Sequence, residues 1–211
     1  MNNIVKMYED AFRAHGDSAK SVLWPKGRQE ERFNALTKYI RNNKGFSVLD
    51  YGCGLGHLKE YLDGRYNGVN YSGTDIVPEF IKTVKKKYPG SEFLFTNSHL
   101  KVTKNYDYII SSGAFNILYV DDKEQHKKII FEILSHLFLK CTIYLSVNFM
   151  TDSVDFQQKG AYHQNVFELY NFVFANLSKR FVIDQSYMPY EYTITIFKNH
   201  DIIRSENIYA E

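Results

Sequence analysis

Between Phe46 and Gly56 the chain reads Phe-Ser-Val-Leu-Asp-Tyr-Gly-Cys-Gly-Leu-Gly, and this stretch constrains the fold more than any other. A short apolar run ends in an acid, Asp50, and glycines follow at positions 52, 54 and 56. Leu58, Lys59, Glu60 and Leu62 then return to helical composition. The order is a strand, a tight turn and a helix N-terminus. Residues without Cβ atoms let the backbone of such a turn take left-handed angles and lie against a ligand. A turn built for a nicotinamide dinucleotide, G-x-G-x-x-G, would need its third glycine at position 57, which is histidine.

The rest of the chain repeats the alternation. Phe33, Leu36 and Ile40 recur at helical spacing within 28–42, ahead of the first strand. Tyr71–Ile76 reads as a second strand, and Pro78 opens a helix that turns Phe80, Ile81 and Val84 inward. Further strands are expected at Phe93–Phe95, Tyr106–Ser111 and Thr142–Phe149, with a helix from Lys123 to Leu137 between the last two. Asn165 and Glu168 have the spacing of a capping box before a helix that carries Val166, Leu169, Phe172 and Val173. Phe181–Tyr187 and Glu191–Phe197 are joined by so few residues that no helix fits between them, so they must pair antiparallel. The expected class is α/β: a Rossmann-like, seven-stranded, mostly parallel sheet with helices on both faces and a C-terminal antiparallel hairpin.

Composition supports one such domain. The 211 residues are 44% apolar, with 16 Phe and 17 Tyr, enough for a substantial core. A net charge of +2, with both signs interspersed, argues against a nucleic-acid stripe. Cys53 and Cys141 are too few and too differently placed for a disulfide framework or a zinc site, and both read as packed thiols in a reducing compartment. No apolar run is long enough for a membrane span or a signal peptide, so the expected location is cytoplasmic.

The stretch Asp50-x-Gly52-x-Gly54-x-Gly56, followed by Asp75 at the end of the second strand, resembles the first motifs of class I S-adenosylmethionine (SAM)-dependent methyltransferases. The likeness covers 28–198 and implies a methyltransferase that uses SAM and releases S-adenosylhomocysteine (SAH). Tyr8, Phe12, His15-Gly16, Trp24 and Arg32-Phe33, with Tyr190-Glu191-Tyr192 near the other end, are also similar to small bacterial methyltransferases of surface-polysaccharide gene clusters. On this reading 1–27 is an arm over the site, 28–198 the catalytic domain and 199–211 a tail.

The resemblance implies cofactor contacts from Asp50, Gly52, Gly54, Gly56, Asp75, Ile76, Asn97, Ser98, Ser112 and Gly113. A carboxylate at 75 can accept from both ribose hydroxyls, and it would equally suit the N-terminus of the helix opened by Pro78. Asn97 stands where the family often has an acid for the adenine amino group.

For the acceptor, Phe115, Asn148, Tyr162 and Tyr190 are expected to line a pocket, with the polar segment 151–162 as its lid. His163 is the candidate general base, with His57 and His15 as alternatives. No metal is implied. Strand four is not followed by the N/D-P-P-Y/F sequence of amino-methylating DNA enzymes, and no Pro-Cys pair offers a cytosine-C5 nucleophile, so a small-molecule acceptor is expected rather than nucleic acid. Two other readings remain open: a NAD-dependent oxidoreductase or epimerase, and a SAM-binding module without turnover.

Overall fold

The computed structural model describes residues 2–23, 28–41 and 45–198. Trp24 and the expected 199–211 tail lie outside them.

Helix α1 (Asn2–His15) precedes α2 (Gln29–Thr37). The alternation then runs β1 (Phe46–Tyr51), α3 (His57–Asp63), β2 (Val69–Asp75), α4 (Pro78–Lys87), β3 (Glu92–Phe95), β4 (Tyr106–Ser111), α5 (Lys123–Lys140) and β5 (Cys141–Thr151). After it come β6 (His163–Gln164), α6 (Val166–Asn176), β7 (Phe181–Asp184) and β8 (Glu191–Phe197). Seven strands form the expected sheet in the order β3-β2-β1-β4-β5-β8-β7. All pairs from β3 to β5 are parallel, while β8 inserts antiparallel between β5 and β7. The two-residue β6 adds an eighth strand beside the end of β5. It is too short to carry a periodic signal, and His163, the candidate base, stands in it.

Successive residues of a strand face opposite sides, and two cores result. Val48 and Ile110 pack with Phe33, Leu36, Leu58 and Ile81 on one face; Leu49, Ile109 and Val147 pack with Ile130, Leu134 and Leu169 on the other. Asn165 caps α6 by accepting from the amides of Phe167 and Glu168. The reciprocal half of the capping box is missing, because the Glu168 carboxylate pairs with Lys127 at 3.0 Å. Strand β7 stops three residues early because Asp184 accepts from the Ser186 amide and starts a turn. Among the described residues no helix is long and apolar enough to cross a membrane.

Strand order reverses between β1 and β4, since β2 and β3 lie on one side and β5 on the other. Open α/β sheets bind ligands beyond the strand carboxyl ends at such a switch point.

Candidate cofactor and acceptor site

At that switch point a cavity of about 1300 Å³ opens. A site for a single small ligand is typically about 300–1000 Å³, so this chamber has room for two molecules side by side.

Its floor is the glycine turn. The amides of Gly52 and Cys53 both donate to the Thr74 carbonyl, at 2.8 and 2.9 Å, which folds the turn back onto β2. Gly52 has φ +82°, and a Cβ there would lie 2.6 Å from the Ala114 Cβ. Any side chain would therefore strain the backbone and push the loop after β4 away. Gly54 lines the cavity beside Gly52. Gly56 does not line it: it precedes α3 and packs under the Tyr88 ring.

Asp75 ends β2 against this turn. Its Oδ2 accepts from the Gly54 amide and its Oδ1 from the Val77 amide, each at 2.8 Å. Each carboxylate oxygen has a further lone pair for a ligand in the chamber. Burial pushes the carboxyl up to about 6, against the pull of those amide hydrogen bonds. Asp50, on the adjacent strand, accepts from the Tyr71 hydroxyl at 2.6 Å, and burial raises it to about 7.

Ile76, Asn97, Ser112 and Gly113 also line the cavity. The Ser112 hydroxyl is buried and has no partner among the described residues. Ser98 turns away: its amide bonds the Thr96 hydroxyl, and Thr96, Asn97 and His99 line the wall in its place.

The acceptor-side expectations divide. Tyr190 lines the chamber, with the Arg28 guanidinium 5.1 Å from its ring centre. Phe115 does not; it is fully buried and stacked between Tyr51 and Phe149. Tyr162 is a core residue as well, its hydroxyl donating to Gln164 at 2.9 Å. Asn148 is fully buried behind the wall, accepting from the Gly113 amide at 2.7 Å. Between Ser153 and Ala161 most of the polar segment does border the chamber, with Phe156 exposed at its rim.

The three candidate histidines also separate. His15 is exposed and does not line the chamber. Both ring nitrogens of His57 are engaged, Nδ1 with the Gln29 amide at 3.1 Å and Nε2 with Asp17 at 3.2 Å. Nδ1 of His163 lies 2.8 Å from the Thr151 carbonyl, which can only accept. That nitrogen therefore carries a proton, so in the neutral imidazole the lone pair falls on Nε2, which has no partner among the described residues.

Two further features shape the chamber. Helix α1 supplies a wall: Ile4, Met7 and Tyr8 line the chamber, and the Tyr8 and Phe12 rings meet Phe80 edge-on at 5.8 and 5.7 Å. Burial and the nearby Asp75 carboxylate raise the Tyr8 phenol. Beneath the acceptor side, buried Arg32 and Glu191 form a two-pronged ion pair. Arg32 sits four residues before Leu36 on the inward stripe of α2, a signal that an arginine there needs a buried partner.

Residues 48–137 match the model of a methyltransferase domain. Over 72 residues, 34% of this chain, the sequence is 33% identical to a putative methyltransferase of Mycobacterium tuberculosis. The chain spans less than half the length of the curated relatives it matches. Its fold resembles magnesium protoporphyrin IX methyltransferase from Synechocystis, solved with bound SAH (TM-score 0.66, 18% identity, 94% of this chain and 100% of that one). It also resembles the plantazolicin methyltransferase BamL, solved with a triazolic desmethylPZN analogue and SAH (TM-score 0.61, 17% identity, 94% and 99%). Residues 48–137 thus match a methyltransferase domain, and the chain shares the fold of these solved methyltransferases.

Proposed function

We propose that this chain transfers a methyl group from SAM to a hydroxyl of a small molecule, a sugar or nucleotide sugar of the kind used in surface polysaccharides. The observation that carries the cofactor half is Asp75, held by the Gly54 and Val77 amides at the rim of the glycine cradle with lone pairs left for a ribose diol. The unpartnered Ser112 hydroxyl and the space kept by Gly52 fit the methionine end of the same molecule. A nicotinamide dinucleotide fits less well, because His57 occupies the place of its third glycine.

When bound, SAM supplies an electrophilic methyl carbon. The protein's part is alignment, and holding the acceptor oxygen in line with that carbon provides most of the rate. Phe156 and Tyr190 offer apolar faces on which sugar C–H surfaces can pack, whereas Phe115 and Tyr162 lie in the core. His163 is the candidate for taking the hydroxyl proton, since Nδ1 is held by the Thr151 carbonyl and Nε2 has no partner among the described residues. Helix α1 acts as the arm that excludes water from the cofactor side. Asp17 clamps its far end to α3 and α4 through His57 and Lys87. Cys53 and Cys141, both buried and unbridged, suit a reducing cytoplasm.

The test is SAH production across matched panels of sugars, nucleotide sugars, peptides and RNA. Turnover on a sugar-class hydroxyl is expected. Turnover confined to RNA or peptides would overturn the acceptor assignment and leave methyl transfer standing.

A further inference from the structure

Arg32 on α2 and Glu191 at the start of β8 belong to two separate stretches of the sequence, and the fold joins them through one buried ion pair. The pair does not end there. Glu191 Oε2 also accepts from the Asn148 amide nitrogen at 3.2 Å, and Asn148 Oδ1 accepts from the Gly113 amide at 2.7 Å. These two neighbours fix which way the Asn148 amide points. A backbone N–H can only donate, and a carboxylate bound by a guanidinium can only accept. Of the side chains that would fit at 148, aspartate could not donate to Glu191, and leucine could serve neither neighbour.

Gly113 is the far end of this chain of bonds and the near wall of the chamber. The next residue, Ala114, puts its Cβ where a Gly52 side chain would be. The height of the 112–114 loop therefore sets the width of the slot over the glycine turn. We propose that Asn148 is a positioning residue: it couples the buried Arg32–Glu191 charge pair to the Gly113 loop and holds that loop at the distance from Gly52 that cofactor binding requires. This rests on the methyl-transfer reading for the identity of the ligand, whereas the tie between Asn148 and Gly113 stands without it.

Strands β5 and β8 contain a matched control. Ser146 and Thr195 share a hydroxyl hydrogen bond of 3.0 Å, equally buried, two residues along β5 from Asn148 and four along β8 from Glu191, away from the loop. Asn148→Leu should raise the hydrogen-exchange rate of the Gly113 amide about tenfold or more and weaken SAH binding about tenfold, the effect of one lost hydrogen bond to a buried group. Ser146→Ala should lower the melting temperature and change neither. Asn148→Thr, which suits a strand but has one short hydroxyl in place of the amide, is the second variant should leucine prevent folding. Gly113 protection that is unchanged in folded Asn148 variants would overturn the proposal. So would an equal loss of SAH affinity in Ser146→Ala, because the effect would then follow stability alone. Wild-type protein that fails to bind SAH, with Gly113 exchange still responding to Asn148, would overturn the methyl-transfer reading and not the tie.

Discussion

Replacing Asp75 with alanine should weaken SAM binding by about 2–3 kcal/mol, roughly thirty- to a hundred-and-fifty-fold, the worth of two charge-assisted hydrogen bonds to ribose. The fold should also soften, because the carboxylate accepts from the Gly54 and Val77 amides and its removal leaves both without that partner. Titration of the folded variant at several temperatures separates the two effects. The pH dependence supplies a second reading. The ligand needs the ionised carboxylate, which in the free protein titrates near 6. Wild-type affinity should therefore hold above that pH and fall as the pH drops through it, and the Asp75 part of the fall should be absent in the variant. Undiminished affinity in folded Asp75→Ala would reduce Asp75 to a cap for α4.

Glu191→Leu should destabilise the protein by about 3–5 kcal/mol, the usual consequence of leaving one member of a buried ion pair without its counter-charge. Arg32 is 1% exposed, so its charge is costly to leave without the Glu191 carboxylate. The double variant Arg32→Met/Glu191→Leu should recover most of the loss, because two apolar side chains of similar volume avoid the desolvation cost altogether. Denaturant unfolding of the three proteins decides the matter. A single variant within about 1 kcal/mol of wild type would show that the pair contributes little.

Most of the sheet was legible because its strands are local runs with their own punctuation. β4 and β8 begin and end where composition places them, and the short link between β7 and β8 required their antiparallel pairing. The glycine turn was legible for the same reason, since the turn and the strand that feeds it lie within eleven residues. Side-chain direction was not. Phe115 and Tyr162 stand beside the chamber in sequence, yet each packs into the core, Phe115 between two rings contributed by other strands. Asn148 gave no hint that it would serve the wall from behind. The Arg32–Glu191 pair spans 159 positions, and no local pattern reports such a distance.

The chamber at the β1–β4 switch point is expected to hold SAM. Calorimetric titration of the purified chain with SAM, SAH and NAD tests it most directly. One-to-one binding of SAM and SAH is expected, with no measurable heat from NAD at matched concentrations. NAD binding as tightly as SAM, or more tightly, would contradict it.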